Sequence, residues 1–218
     1  MYIPSHFEEK SLEVIQKAVE ELSFGILVTV SEAGIEANHL PFELDTRSGK
    51  FGTLLCHVAR KNSVWQQAQH ATQDSLVIFQ GPSAYISPNL YPTKQETHEV
   101  VPTYNYIVVH AYGRIIVHDD EKWVHGAVGR LTRRYEASRD IPWKMSDAPR
   151  DFMHGMLQNI VGLEIPITRL VGKWKLNQNR PEVDQKSVIA NLAASDSQGE
   201  REVAQAMQQS RARIQRQP

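Results

Sequence analysis

A long alternating segment in the middle of the chain constrains the possible fold more than any other feature. From Thr103 to His118, apolar side chains recur at alternate positions, which is the period of a β-strand and not of a helix. One face of the predicted strand is apolar, and the other carries tyrosine, histidine and arginine. Because an apolar face of this kind has to pack on a core, the chain is predicted to fold around an antiparallel sheet.

The rest of the sequence predicts a meander of strands with helices around it. Ser5 to Glu8 has the pattern of a capping box and predicts an amphipathic helix over 6–22. A hairpin follows over 24–44, with its turn at Glu32-Ala33-Gly34. The later predicted strands cover 51–58, 75–80 and 160–176; the chain is also extended over 84–87, and the last strand is bent near Pro166 or Gly172. The later predicted helices are a short one containing Trp65, one from Asp119 or Asp120 to about Ser138, and one opened by Pro149.

Two segments depart from this regular pattern. The loop over 88–102 is rich in proline and tyrosine and is long for a connection, which is typical of a functional or mobile segment. Beyond Arg180 the sequence is polar and helical, and Gln205 to Gln217 are predicted to form a frayed, arm-like terminus. The order of the elements predicts a mainly β fold of the α+β class, an antiparallel barrel decorated with helices.

Composition and charge exclude several classes of function. The chain has 24 lysine and arginine residues against 25 aspartate and glutamate residues, so its net charge of -1 gives no general attraction for nucleic acid or an anionic membrane. No secretory signal is recognisable at the amino terminus, and the apolar runs are far shorter than the ~20 residues of a membrane-spanning helix. A single cysteine, Cys56, fits a reducing compartment, so we expect a cytoplasmic protein.

Common catalytic motifs are absent from the sequence. It contains no dinucleotide-binding, Walker, nucleophile-elbow or zincin motif, and the nine histidines do not cluster with other metal ligands, so no metal site is predicted. Four arginines on the second half of the predicted helix from 119, at 130, 133, 134 and 139, form a basic face. Such a face contacts nucleic acid in some proteins and is simply solvated in more of them.

The segment from His57 to Asn62 has the strongest local chemistry. A strand ends there, Arg60 and Lys61 follow, and a helix begins, so free backbone amides and cationic side chains form a candidate phosphate cradle. The alternative is a strand-to-helix corner with solvated cations and an asparagine cap.

A second basic element surrounds Trp174. On a strand, Lys173 and Lys175 share one face and Trp174 lies on the other, which predicts a paired cationic surface beside a buried indole. Lysines that keep an edge strand soluble are the alternative explanation.

Two further stretches offer groups suited to a flat ligand. Gln80 to Pro88 places small residues and hydroxyls at a strand end, and Val101 to Tyr106 adds an amide, hydroxyls and aromatic rings. A tight turn and structural tyrosines on a sheet face are the alternatives.

Taken together, these motifs resemble those of a known family. The segments MYIPSHF, GTLLCHVARKN, LVIFQGPSAYISP, VPTYNY, VHAYG, HDDEKW and IVGLEIPITRLVGKWKLNQNR, in this order over residues 1–192, are similar to PaiB, the FMN-binding negative transcriptional regulator family. The resemblance implies an FMN-binding split β-barrel domain over 1–192, with a polar helical tail over 193–218. It also implies a homodimer with a flavin at each interface.

The resemblance further implies which residues bind FMN. Arg60 and Asn62, beside His57, would meet the phosphate, and Lys173, Lys175 and Arg180 would contribute from the neighbouring protomer or close the pocket. The ring would be approached by His39, Leu40 and Pro41, its polar edge lined by Gln80, Gly81 and Ser87, and its open face shaped by Tyr104 and Asn105.

Three functions are compatible with these features. The first is an FMN-binding repressor, although direct DNA binding has no support from the charge or from a helix-turn-helix pattern. The second is a flavin-dependent oxidoreductase of the pyridoxamine-phosphate-oxidase-like class, in which His110 and Tyr104 are candidate acid or base groups. The third is a flavin-sequestering or structural dimer.

Overall fold

The structure, a computed structural model, describes residues 1–32 and 34–214 and divides into two compact units. Unit 1 is formed by residues 1–11, 80–109 and 171–214, and unit 2 by residues 12–79 and 110–170. The strands are β1 (Glu8–Glu9), β2 (Phe24–Ser31), β3 (Gly34–Pro41), β4 (Glu43–Asp45), β5 (Thr53–Ala59), β6 (Ser75–Ile86), β7 (Thr103–Gly113), β8 (Ile116–His118), β9 (Ile160–Pro166) and β10 (Arg169–Lys175). The helices are α1 (Leu12–Leu22), α2 (Val64–His70), α3 (Lys94–Thr97), α4 (Glu121–Glu136), α5 (Arg150–Gln158), α6 (Glu182–Ala193) and α7 (Gln198–Ile214).

In unit 1, strands lie in the order β1, β10, β7 and β6. β1 is antiparallel to β10, with Glu8 opposite Lys173 and Glu9 opposite Gly172. The two C-terminal helices pack against each other, and Val188 of α6 and Val203 of α7 are fully buried. The core of this unit therefore includes residues from the last part of the chain.

In unit 2, a four-stranded antiparallel sheet has the order β4, β5, β9 and β8. β5 and β9 pair over seven residues, and Leu54, Cys56 and Val58 of β5 are buried on one face. β2 pairs with β3 in the predicted hairpin and, on its other side, with β6. The expected α+β class with antiparallel strands is confirmed.

Two predicted boundaries differ from those of the structure. Residues Ser5–Phe7 form a 3-10 turn and α1 begins only at Leu12, because Glu8 and Glu9 pair with β10 instead of entering the helix. The predicted interruption at Gly81 and Pro82 is absent, and β6 joins the two predicted extended segments in one strand that ends at Ile86.

The predicted strand over 103–118 is divided into β7 and β8. At Gly113 a side chain would overlap the Pro166 carbonyl, so the chain passes very close to the end of β9 there. β7 ends at Gly113, and β8 pairs with β9 in the four-stranded sheet. The last long strand, predicted to bend near Pro166 or Gly172, is instead interrupted after Pro166, where β9 ends, and β10 runs through Gly172 without a break.

The C-terminal segment is not frayed over its described part. Helix α7 extends to Ile214, and Val203, Ala204, Met207 and Ser210 are buried. Residues 33 and 215–218, which fall in the predicted hairpin turn and tail, lie outside the described residues. The predicted domain boundary at residue 192 stays a prediction. Within the described part of the chain, no helix is long and apolar enough to cross a membrane.

Candidate functional site

The corner between β5 and α2 holds Arg60 in a fixed position. Its Nη1 and Nη2 donate to the two carboxylate oxygens of Asp119 at 3.0 and 2.6 Å, and its Nε donates to the Gln158 carbonyl at 2.6 Å. A further bond reaches the Ile160 carbonyl at 3.3 Å. Four of the five guanidinium N–H groups are therefore satisfied within the protein, and the charge is paired.

Asn62 connects the same corner to the β2–β3 hairpin. Its Oδ1 accepts from the amide of Val64, the first residue of α2, at 3.0 Å, while its Nδ2 donates to Asn38 Oδ1 at 2.7 Å. The Nδ2 of Asn38 is buried and has no hydrogen-bond partner among the described residues. A buried donor without a partner is costly in a folded protein, so this atom is available to a bound acceptor.

The three predicted ring contacts follow Asn38 on β3. His39 lies opposite Ile26, Leu40 opposite Gly25 and Pro41 opposite Phe24 in the register with β2. His39 is exposed, whereas Leu40 and Pro41 are half-buried.

His57 lies on β5, where Gly162 of β9 is its register partner. Burial lowers the pKa of His57 below its usual value, because a charged imidazolium would lose its hydration. Its imidazole is therefore neutral at pH 7, with one ring nitrogen able to donate a hydrogen bond and the other able to accept one.

In unit 1 the two predicted lysines meet a group of tyrosines, which we call the lysine–tyrosine cluster (Tyr2, Tyr104, Tyr106, Lys173 and Lys175). Lys173 Nζ lies 5.3 Å from the centre of the Tyr106 ring and donates to the Tyr2 carbonyl at 3.1 Å. Lys175 Nζ lies 6.0 Å from the same ring and donates to Thr103 Oγ1 and, at 2.9 Å, to the Tyr104 carbonyl. The two ammonium groups therefore lie on one side of β10, as their spacing predicts, but Lys173 is buried and not part of an open surface.

The lysine–tyrosine cluster carries two positive charges in a partly desolvated position. Lys173 is only 8% exposed, and burial together with repulsion from Lys173 lowers the pKa of Lys175. Glu8 lies opposite Lys173 in the strand register, but neither lysine forms an ion pair with any described residue. A buried cation beside a half-buried one, neither with a counter-ion, is unfavourable in the free protein and favourable once an anion binds.

The predicted contacts on β6 and its end have mixed surroundings. Gln80 is exposed. Gly81 approaches β7 closely, because a Cβ there would lie 3.1 Å from the Ile107 Cβ. Ser87 Oγ accepts from the Asn89 amide at 3.2 Å and caps a 3-10 turn. Strand packing and capping are therefore sufficient to explain Gly81 and Ser87.

Tyr104 and Asn105 lie on opposite faces of β7. Tyr104 is exposed and its ring contacts Tyr85 edge-on, with 5.8 Å between centroids. Asn105 is 0% exposed, and its Nδ2 donates to the Met207 sulfur of α7 at 3.4 Å, while its Oδ1 has no partner among the described residues. The Asn105 side chain belongs to the core of unit 1 and is not brought to the face that Tyr104 occupies.

Arg180 lies beside the long loop over 88–102. Its guanidinium is 4.9 Å from the centre of the Tyr91 ring, and the Tyr91 hydroxyl accepts from Asn177 Nδ2 at 3.3 Å. The loop is fixed at Thr93, whose amide and hydroxyl donate to Asp184 at 3.1 and 2.7 Å. Asp184 is fully buried, and sequence reasoning missed it because an aspartate in the first turn of a helix normally suggests a surface position.

A second group that sequence reasoning missed lies on β8, β9 and α4. His118 Nε2 is 2.6 Å from Glu164 Oε2, and the His118 ring stacks on Trp123 with 4.1 Å between centroids. Gly162 is required there because a side chain would overlap the Trp123 ring. No local pattern in the sequence brings these positions together.

The basic helix face is only partly free. Arg130 pairs with Glu43 through Nε at 3.1 Å to both carboxylate oxygens, and Arg134 donates to the Glu20 carbonyl. Over residues 1–32 and 34–214, no group of three histidine, cysteine, aspartate or glutamate residues could hold a metal ion.

The cationic groups of the two units differ in how well they suit an anionic ligand. The lysine–tyrosine cluster has cations without a counter-ion and aromatic rings beside them, which fits a ligand with an anionic group and a flat ring. The Arg60 guanidinium has one N–H left, while the Asn38 amide, bonded to Asn62, has a donor without a partner among the described residues. The cluster in unit 1 is therefore the better fit for a phosphate.

Sequence comparison matches the chain to known proteins over most of its length. The family model described as "Putative FMN-binding domain" matches residues 1–169. The protease synthase and sporulation protein PAI 2 of Bacillus subtilis (strain 168) is 33% identical over 208 residues, which is 95% of this chain and 97% of that protein.

Structure comparison identifies solved proteins with the same fold. The FAD and heme binding protein from Mycobacterium smegmatis has a TM-score of 0.58 at 14% identity, over 84% of this chain and 79% of that one. The flavocytochrome Anf3 from Azotobacter vinelandii has a TM-score of 0.56 at 9% identity, over 79% of this chain and 72% of that one. At these identities the likeness concerns the fold alone, and the predicted split-barrel class is confirmed.

Proposed function

Because the chain belongs to the PaiB family of FMN-binding proteins, we propose that it binds FMN as a homodimer and acts as a negative transcriptional regulator. The observation that carries the cofactor assignment is the pair Lys173 and Lys175, two cations without a counter-ion beside a tyrosine ring. FMN joins a phosphate dianion to a flat ring and, when bound, supplies reversible electron transfer.

The chain's own residues have distinct roles in this proposal. Lys173 and Lys175 hold the phosphate, and Tyr106 keeps both ammonium groups in place through its ring. Arg60 positions the β5–α2 corner through Asp119. The assignments of His39, Leu40, Pro41, Gln80 and Tyr104 to the flavin ring rest on the family resemblance.

A titration of the apo-protein tests the cofactor assignment. Riboflavin has the same ring as FMN but lacks the phosphate, so quenching of flavin fluorescence compares the two ligands directly. We expect FMN to bind at least about 100-fold more tightly, because a phosphate between the buried Lys173 and the half-buried Lys175 forms charge-assisted hydrogen bonds. Equal affinity for the two flavins would contradict a phosphate-binding site at Lys173 and Lys175.

The regulatory role is supported by the family and not by an obvious DNA-binding surface. The net charge is -1, and two of the four arginines of the basic helix face are already engaged. We therefore expect repression to act without strong direct DNA binding. A mobility-shift assay at low salt checks this, since binding with a steep salt dependence would establish direct contact with the phosphate backbone.

A flavin-dependent oxidoreductase is the second candidate function. The observation in its favour is His110, whose pKa burial lowers, so that a neutral imidazole stands 3.4 Å from the Tyr112 hydroxyl. Anaerobic mixing of the FMN-loaded protein with NADH or NADPH separates the two functions. Bleaching of the flavin within a turnover time supports the oxidoreductase, and an unchanged spectrum supports the regulator.

The dimer and the cytoplasmic location are parts of the same proposal. Cys56 is buried, and burial raises the pKa of its thiol, so it is an unreactive core residue compatible with a reducing compartment. Light scattering during size-exclusion chromatography measures the molar mass, which should be that of a dimer. A monomer that still binds one FMN per chain would contradict a flavin at the interface.

A further inference from the structure

A cavity of about 510 Å³ lies between helix α4 and the segment over 142–146. None of its lining residues is among those assigned to flavin binding, and all of them belong to unit 2. The volume is within the range of about 300–1,000 Å³ that is typical of small-molecule sites. Its lining includes an aromatic ring, cationic side chains and bare helix backbone, which are the parts of a ligand site.

The wall opposite α4 is held in place by specific contacts. The Trp143 amide donates to Glu136 Oε2 at 3.0 Å, and the Lys144 amide donates to Asp147 Oδ2 at 2.9 Å. The Met145 sulfur lies against α4 at Gly129, 3.4 Å from where a Cβ would be. The segment is therefore joined to α4 at Glu136 and packed on it at Gly129, and the cavity between the two is preformed.

The α4 side of the cavity is partly bare backbone. At Gly126, a Cβ would meet nothing closer than Arg130 Nη1 at 3.8 Å, so an alanine would fit there without a clash. A glycine inside a helix costs about 1 kcal/mol relative to alanine. Packing within the protein does not explain this glycine, whereas close approach of a flat ligand does.

The charges of the lining leave one positive charge in excess. Arg130 is neutralised by Glu43, which leaves Arg133 and Lys144 against the single carboxylate of Glu136. Neither Arg133 nor Lys144 has a carboxylate partner among the described residues. The site is therefore matched to a monoanion.

The aromatic component is Trp143, which is 43% exposed at the edge of the cavity. Pro142 and Met145 extend the apolar surface beside it. A flat ring stacked on the indole would cover this surface and place an attached anionic group toward Arg133 and Lys144.

We propose that the cavity between α4 and residues 142–146 binds an aromatic monocarboxylate, as a site separate from the proposed flavin site. The ring packs between Trp143 and the backbone at Gly126, and the carboxylate is held by Arg133 and Lys144. A carboxylate is favoured over a phosphate because the excess charge of the lining is one and not two.

Isothermal titration of the FMN-saturated protein with 4-hydroxybenzoate tests this site. We expect saturable binding at one site per chain, with affinity at least about tenfold lower in Arg133→Ala and in Trp143→Ala. Arg139→Ala, which removes an exposed arginine outside the lining, is the matched control and keeps the parent affinity. The neutral analogue 4-hydroxybenzamide has the same ring and binds at least about tenfold more weakly.

Several results would overturn the proposal. These are the absence of saturable binding, equal affinity in the Arg133→Ala and Arg139→Ala variants, or tighter binding of adenosine 5′-monophosphate than of the carboxylate. Competition between 4-hydroxybenzoate and FMN would place the carboxylate in the flavin site and would also contradict it. The same titration is also carried out on the apo-protein. Binding of 4-hydroxybenzoate is therefore measured whether or not the protein binds FMN, and a failure of the FMN assignment is distinguishable from a failure of this proposal.

Discussion

Arg60 and Asp119 form a two-point ion pair, with Nη1 to Oδ2 at 3.0 Å and Nη2 to Oδ1 at 2.6 Å. The pair joins the end of β5 to the residue before the cap of α4, across 59 positions of sequence. It identifies Arg60 as a positioning residue of the corner that the sequence predicts to be a phosphate cradle.

Removal of the Asp119 charge is expected to destabilise the protein in a defined pH range. The hydrogen bond from Arg60 lowers the pKa of Asp119 below its ordinary value of 3.8. A lowered carboxyl pKa contributes stability that is fully present above the ordinary value and is lost as the pH falls through the lowered value. Urea midpoints at pH 7 should therefore fall in Asp119→Asn and stay unchanged in the control Asp140→Asn, and the difference should shrink as the pH falls below 3.8.

The buried His57 should make the stability of the protein depend on pH in a second, higher range. Burial lowers its pKa below 6.5, so the unfolded chain takes up the proton first as the pH falls. Stability contributed by the neutral form is complete above pH 6.5 and declines between 6.5 and the lowered folded value. The urea midpoint should drop less between pH 7 and pH 5.5 in His57→Gln than in the parent. The exposed control His125→Gln should follow the parent, and identical slopes for all three proteins would contradict the assignment.

Gly162 tests the packing of the His118 and Trp123 stack. A Cβ at Gly162 would overlap the Trp123 ring, so Gly162→Ala should destabilise the protein by about 1–3 kcal/mol, the range found for overpacked cores. Gly155 of α5 is the matched control, because no atom lies within 4 Å of its Cβ position. Gly155→Ala should leave stability unchanged or raise it by up to about 1 kcal/mol. Equal effects in chemical denaturation would show that the ring can move away.

A substitution at Asn105 tests whether this residue belongs to the core or contacts the flavin. Its Oδ1 is buried without a partner, so Asn105→Leu should stabilise the protein by about 1 kcal/mol while leaving FMN affinity unchanged. The exposed control Asn191→Leu should change neither quantity. Loss of FMN affinity in Asn105→Leu, with stability retained, would show that Asn105 contributes to flavin binding.

Residues that share a strand were predictable where the alternation was followed strictly. Lys173 and Lys175 face the same side because they are two positions apart, and the sequence indicates this directly. The same rule places Asn105 with Ile107 on the core face and away from Tyr104, since odd and even positions alternate. The predicted contact of Asn105 with the flavin ring ignored that parity.

Contacts between distant segments were not predictable from local pattern. The β5 sequence indicates a cationic corner, but only the fold brings Asp119 and the Gln158 carbonyl to Arg60. Likewise Asp184 is buried because Thr93 of the long loop supplies two donors to it. Pairing of this kind depends on tertiary structure, so a motif read along the chain indicates which charges are present and not which are neutralised.

The central claim is that Lys173 and Lys175, and not Arg60, hold the phosphate of FMN. FMN and riboflavin affinities should be measured for Lys173→Met/Lys175→Met, for Arg60→Met and for the control Lys186→Met, since methionine keeps the length of the lysine stem. We predict that the double variant is at least as stable as the parent, because it loses two unpaired cations, and that it binds FMN no more tightly than riboflavin. Arg60→Met and Lys186→Met should keep the preference for FMN. An unchanged FMN preference in the double variant, with a loss in Arg60→Met, would contradict the account.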